Sequence, residues 1–167
     1  MRLQEREQEV LRHVQEIRKN TVISLHSAGS GHPGGALSIA EMLAVLYFYE
    51  MNVSSDEPAE ENRDRFVLSK GHAAPSYYAV LAERGYFEKG VLTTLRKMGS
   101  ILQGHPDMKK VPGVDMSTGS LGQGISAACG MAHYAKRMCR DYRVYCIIGD
   151  AKCRKAGMGG IYECRAF

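Results

Sequence analysis

Apolar residues recur at Val10, Leu11, Val14 and Ile17 on a charged background. That helical spacing predicts one amphipathic helix from Leu3 to Ser27, stopped at Gly29. A loop, Gly29-Ser-Gly-His-Pro-Gly-Gly35, follows. Ser38-Ile-Ala-Glu41 has the spacing of a capping box and predicts the start of an apolar helix running to about Met51. Asn52 to Asp64 is polar and reads as loop. Arg65-Phe-Val-Leu-Ser69 predicts a short strand that enters a turn at Lys70-Gly-His72. Helices are predicted from about Pro75 to Arg84, ended by Gly85, and from Lys89 to Met98. The stretch from Gln103 to Gly119 is loop. Ser120 to Met138 mixes small and apolar residues, as a helix packed closely on a sheet would. Arg143-Val-Tyr-Cys-Ile-Ile148 is β-rich and almost continuously apolar, the pattern of a buried parallel strand. Helices alternating with few strands predict an α/β fold, a mostly parallel sheet with helices on both faces.

Composition narrows the class without changing that picture. The chain has 167 residues, 44% hydrophobic and 24% charged, which suits one globular domain with a real core. A net charge of +4 comes from scattered basic residues, and no dense basic run is interleaved with aromatics, so nucleic acid is not an expected partner. No apolar run approaches the roughly 18 residues of a membrane span, and no membrane partner is expected. The first residues are charged rather than apolar, unlike a signal peptide. The five cysteines form no C-x-x-C pair, and reduced thiols in a cytoplasmic setting are the expectation. Tyr77, Tyr78 and Tyr86 read as core or interface residues, the Met and Cys residues between Cys129 and Cys146 as packing residues, and the charges of Arg2–Arg18 as a solvated helix face.

Glycine is the informative residue, because the 18 glycines cluster with histidine and proline. Four loops carry the clusters: Gly31-His-Pro-Gly-Gly35, Ser69-Lys-Gly-His72, Gln103-Gly-His-Pro106 and Thr118-Gly-Ser-Leu-Gly-Gln-Gly124. Glycine lets backbone N–H groups approach a ligand closely. Histidine donates to phosphate or moves protons near neutral pH. Asp150 follows the predicted last strand, where open parallel sheets bind ligands, and a carboxylate there suits a hard divalent cation. Singly, each motif is weak: a histidine in a turn is more often structural, and an aspartate after a strand is as often a cap. Jointly they point to a phosphorylated ligand, a magnesium-type ion and proton-moving histidines.

The order of the four loops, followed by the strand and Gly149-Asp150, resembles the N-terminal, thiamine-diphosphate-binding part of transketolase. The resemblance covers nearly the whole chain to about Asp150. It implies that His32 lies over the cofactor and helps move substrate protons, that His72 contacts the diphosphate, and that His105 binds the hydroxyls of the ketose donor. It implies that Gly119 and Leu121 hold the aminopyrimidine ring through their backbone and that Asp150 is the first metal ligand. The cofactors implied are thiamine diphosphate and Mg2+, or another divalent cation such as Ca2+. The implied reaction is transfer of a two-carbon ketol unit between sugar phosphates, as in the pentose phosphate pathway. The implied partners are a C-terminal transketolase part or subunit and a homodimer-type assembly. The deoxyxylulose phosphate synthase shares the fold, but its loops are worded differently. A phosphate-binding module of another family would not keep the loop order.

After Asp150 the wording departs from that family. Ala151 replaces a glycine, Lys152 stands where an acid is common, and Lys155 stands where the family has a glutamate. Gly157, Gly159 and Gly160 interrupt an expected helix. Met158-Gly159 is encoded AUG-GGN, which read one base later contains the tryptophan codon UGG. With permitted codons the following residues then read Trp-Glu-Ala, the family's helix. The expectation is a partial diphosphate-binding domain over 1–150 and an aberrant, frame-shifted tail over 151–167. A catalytically inactive truncated remnant is the alternative to a working fragment.

Overall fold

The computed structural model describes residues 3–149, with side chains from Glu5 onward. Asp150 and the tail lie outside the described residues. Two compact units are present. The first comprises the chain up to Met51 together with His72–Gly104, and the second comprises Asn52–Gly71 together with the described chain from His105.

The first unit is helical. α1 spans Leu3–Ala28 and ends where Gly29 takes a φ of 62°, its N–H donating to His26 O. Val14 and Ile17 are buried as the periodicity predicts, Val10 is half-buried, and Leu11 is exposed. Further along, the buried face is polar, because Thr21 Oγ1 bonds Ile17 O at 2.7 Å and Ser76 Oγ at 2.9 Å, and Ser24 Oγ donates to Leu92 O. Such satisfied hydroxyls can be buried at little net cost. α4, Ala74–Arg84, buries every residue from Ala74 to Ala82, so it is a core helix rather than an amphipathic one. Each large apolar side chain fully buried in this unit, such as Leu43 or Leu81, contributes about 1.5–3 kcal/mol. Gly85 closes α4 at φ 94°.

Three expectations in this unit are corrected. The loop 29–35 is helical in its second half: α2 spans Pro33–Leu37, with Pro33 supplying a preset φ at its start. Ser38 does not open a capping box, because its hydroxyl turns back onto Gly35 O at 3.0 Å. α3 is accordingly short, Ala40–Val45, capped at Ile39 without a side-chain bond. It widens into a π-helical turn, Leu46–Glu50, closed by Met51 N–H on Leu46 O. The predicted helix over Lys89–Met98 is only a 3₁₀ segment, Lys89–Thr94. Thr93 and Thr94 bond their hydroxyls back to Gly90 O and Val91 O, and Arg96 then reverses the chain at a φ of 63°.

The second unit carries the sheet. β1, Arg65–Leu68, and β2, Val144–Ile147, pair in parallel with Arg65 opposite Val144 and Leu68 opposite Ile147. Only Ile147 of β2 is fully buried, so the continuous apolar run overstates its cover. α5, Gln123–Arg137, packs on both strands. Two carboxylates hold the sheet, Asp64 linking the starts of both strands and Asp115 holding β1. Asp64 accepts from the N–H groups of Asn52 at 2.8 Å and Arg143 at 2.7 Å. Asp115 accepts from Phe66 N–H at 2.8 Å and from Arg63 Nη2 at 2.6 Å. Cys129 and Cys146 are half-buried thiols, whereas Met138 and Cys139 are exposed and not packing residues. The class is α/β with a parallel sheet, as expected.

Candidate functional site

In the first unit the chain brings two of the predicted histidines together. His32 is the N-cap of α2, exposed, with Pro33 directly after it. His72 sits in a 3₁₀ turn, Gly71–Ala73, just ahead of α4, and is half-buried. Their rings meet edge to face, with centroids 5.3 Å apart and planes at 63°. Gly35 makes this possible, since a Cβ there would lie 2.9 Å from Cδ2 and Nε2 of His72.

In the second unit His105 rests against glycines. A Cβ on Gly71 would lie 2.8 Å from Thr118 O and 2.9 Å from His105 Cδ2, and one on Gly119 would lie 3.7 Å from the same ring atom. Gly122 takes a φ of 91° as the N-cap of α5, and its N–H points to Ser69 O at 3.5 Å. A Cβ on Gly124 would come within 2.7 Å of Ser69 Cα, so the helix start lies directly on the end of β1. Leu121 is exposed at 37%. Ser69 Oγ and Thr118 Oγ1 are buried without a hydrogen-bond partner. Lys70 is nearly buried, and its chain runs 3.8 Å from where a Cβ on Gly149 would stand. A separate recess of about 560 Å³, lined by Asn52, Asn62 and residues 138–141, contains none of the candidate residues.

Against this geometry the comparisons are decisive. The family profile described as transketolase, thiamine diphosphate binding domain, matches residues 10–159. The chain belongs to the transketolase family. Human transketolase is 47% identical over 152 residues, which are 90% of this chain and 24% of that protein. A 6-deoxy-6-sulfo-D-fructose transketolase subunit from a Clostridium species is 46% identical over 151 residues, 90% of this chain and 54% of its own length. Among solved structures, transketolase from Leishmania mexicana aligns with a TM-score of 0.82 at 34% identity, over 87% of this chain and 23% of that one. Transketolase from Campylobacter jejuni gives the same TM-score at 32% identity, over 93% and 25%. The chain thus spans about a quarter of the full-length transketolases and about half of the subunit it matches.

The described residues fit a thiamine diphosphate ligand of this family. Backbone at Gly119 and Gly122 carries no close protein neighbour where a Cβ would stand, and with the orphaned Thr118 hydroxyl it is a surface a ring can approach closely. Within the second unit, the His105 imidazole and Lys70 are donors for phosphate and hydroxyl oxygens, and within the first so are the imidazoles of His32 and His72. Among the described residues no three acidic, histidine or cysteine side chains converge on a metal position. Asp150, the predicted ligand, lies outside them. Sequence reasoning missed the reach of Lys70 toward Gly149 and an Arg96–Ser30 contact, because neither residue's surroundings leave a trace in spacing.

Proposed function

We propose that this chain supplies the thiamine-diphosphate part of a transketolase-type reaction, moving a two-carbon ketol unit between sugar phosphates. It would act with a C-terminal transketolase part or subunit, in a homodimer-type assembly and a cytoplasmic setting. The observation that carries the reading is the edge-to-face pair of His32 and His72, held by Gly35, in a chain of this family. Thiamine diphosphate, when bound, supplies the nucleophilic carbon and the electron sink. The protein's residues bind, orient and move protons. His72 takes the diphosphate. Gly119 and Leu121 take the aminopyrimidine ring through their backbone. Asp150 takes Mg2+ or a similar divalent ion. His32 and His105 serve the substrate's protons and hydroxyls, work suited to imidazole, which both donates and accepts hydrogen bonds. The matched Clostridium relative is named as a subunit, which supports a split arrangement.

Isothermal titration of the chain with thiamine diphosphate and Mg2+ tests the reading. Saturable binding is expected, weakened about tenfold or more in His72→Ala through loss of a charge-assisted hydrogen bond. Sugar-phosphate turnover should appear on adding a C-terminal partner chain. An absence of saturable binding would leave the remnant reading, in which the fold persists without turnover. Lys152, Arg154 and Lys155 favour that alternative, since three cations within five positions of Asp150 in sequence make it a poorer place for a divalent ion. The domain reading stands with it: a partial diphosphate-binding domain over 1–150 and a frame-shifted tail over 151–167. Sequencing the gene across the Asp150 codon decides the tail, because an intact frame there would remove the frameshift.

A further inference from the structure

Arg96 is a residue that the reaction does not obviously need, yet the first unit holds it at some cost. Its backbone lies at a φ of 63°, in the left-handed region that residues other than glycine seldom adopt. Its N–H donates to Leu102 O at 2.9 Å, which fixes the reversal. Its guanidinium reaches 66 residues back along the chain, where Nη1 donates to Ser30 Oγ at 2.9 Å. Ser30 Oγ in turn donates to Ala28 O at 3.3 Å, so the hydroxyl is both acceptor and donor. Gly104 clears the path, since a Cβ there would lie 3.1 Å from Nε and 3.5 Å from Nη2. Ser30 is two residues before His32, and Gly31 between them sits at a φ of 145° with Leu25 filling the space a Cβ would need. Among the described residues, Arg96 is the one side chain from elsewhere in the chain that hydrogen-bonds the segment 29–32.

We propose that Arg96 is a positioning residue for His32. Its guanidinium clamps the Gly29-Ser30-Gly31 segment, so that the imidazole at the start of α2 is delivered in a fixed relation to His72. A guanidinium suits the task, being always charged and rigid. A hydrogen bond from a charged donor is stronger than a neutral one, which offsets a strained backbone at an exposed position. What the clamp does for catalysis rests on the transketolase reading; that it holds His32 does not.

The test uses the intact chain and three variants, Arg96→Gly, Arg96→Lys and Ser30→Ala. Glycine is at ease at positive φ, so Arg96→Gly removes the clamp while relieving the backbone. Its melting temperature is expected to equal or exceed that of the parent chain. At the same time the NOE between the His32 and His72 rings should be lost, and amide exchange over residues 29–35 should speed by on the order of tenfold, as for loss of a charge-assisted hydrogen bond. Ser30→Ala should reproduce the loosening, and Arg96→Lys should restore part of the NOE. An unchanged NOE and unchanged exchange in both Arg96→Gly and Ser30→Ala would overturn the proposal, and so would loosening spread equally over the α4 amides. Adding thiamine diphosphate and Mg2+ separates the two readings. If neither histidine of the parent chain responds to the cofactor, the transketolase reading fails while the clamp remains tested by the NOE. If His72 responds in Arg96→Gly but His32 no longer does, both stand.

Discussion

The two units hold their histidines by different means. In the helical unit, His72 precedes a helix whose nine residues from Ala74 to Ala82 are all buried, and the packing of Tyr47, Tyr77, Tyr78 and Leu81 sets where that helix lies. Position there follows from close packing spread over many side chains. In the sheet unit the described strands are four residues each and β2 is only partly covered. Asp64, just ahead of β1, accepts the N–H of Arg143 just ahead of β2, and Asp115 accepts Phe66 N–H of β1. His105 then rests on glycine surfaces whose position follows from those strands. Apolar burial is distributed over many side chains, whereas a carboxylate pin concentrates its effect in one.

The largest effect should therefore come from the sheet unit. Asp115 and Arg63 are 5% and 12% exposed, and the pair closes at 2.6 Å while the second carboxylate oxygen takes Phe66 N–H. Asp115→Ala takes the carboxylate from a nearly buried guanidinium, leaving it the carbonyls of Pro58 and Asp64, and takes the acceptor from Phe66 N–H. A loss of about 3–5 kcal/mol is expected, measured as a lower urea midpoint with an unchanged slope. A loss below about 1 kcal/mol would mean that the strands, and not the pin, carry this unit.

A second experiment sets the units side by side with one methyl group each. At Gly71 the added Cβ would meet the Thr118 carbonyl oxygen at 2.8 Å, and backbone cannot step aside. At Gly35 it would meet the far edge of the His72 ring at 2.9 Å, and a ring can rotate. Gly71→Ala should cost about 1–3 kcal/mol of stability. Gly35→Ala should cost less than about 1 kcal/mol yet displace the imidazole, so thiamine diphosphate affinity should fall while the urea midpoint hardly moves. Equal stability losses would erase the contrast between side-chain and backbone neighbours.

The same contrast explains what could be read in the sequence. Helical spacing found α1 and apolar content found α4, α5 and both strands, although burial follows the apolar pattern only in part. Clustering of glycine with histidine found the candidate residues, because close approach and proton transfer need those residue types. α2 was missed because Pro33-Gly-Gly-Ala-Leu37 has poor helix propensity and forms only where Pro33 starts it and Ala36 is buried. Ser38 misled because a hydroxyl can bond either the helix ahead or the turn behind, and only the fold chooses. Leu11 and Val22 are exposed at 58% and 52% while Thr21 and Ser24 are buried. The polar residues inside α1 find partners 55 and 68 positions away, which no local window contains. The clearances at Gly35 and Gly71 are likewise properties of neighbours distant in sequence.

The smallest expected effect tests one electrostatic element of the helical unit. Tyr49 lies in the π-helical turn, and its hydroxyl donates to Arg6 O at 2.9 Å, with Glu9 Oε2 at 3.4 Å. Desolvation first, and then the Glu9 carboxylate, raises the phenol above its ordinary value, while Arg6 and Arg12 pull the other way. A group that is more basic in the folded chain stabilises that chain while it stays protonated. The contribution is fully present below the ordinary tyrosine value of about 10 and is lost as pH rises through the folded value. Urea midpoints measured through the alkaline range should fall more steeply for the parent chain than for Tyr49→Phe, and the two should run parallel below that range. Packing in this unit does not titrate, so an identical alkaline decline in both chains would show that the Tyr49 contacts add no electrostatic element to it.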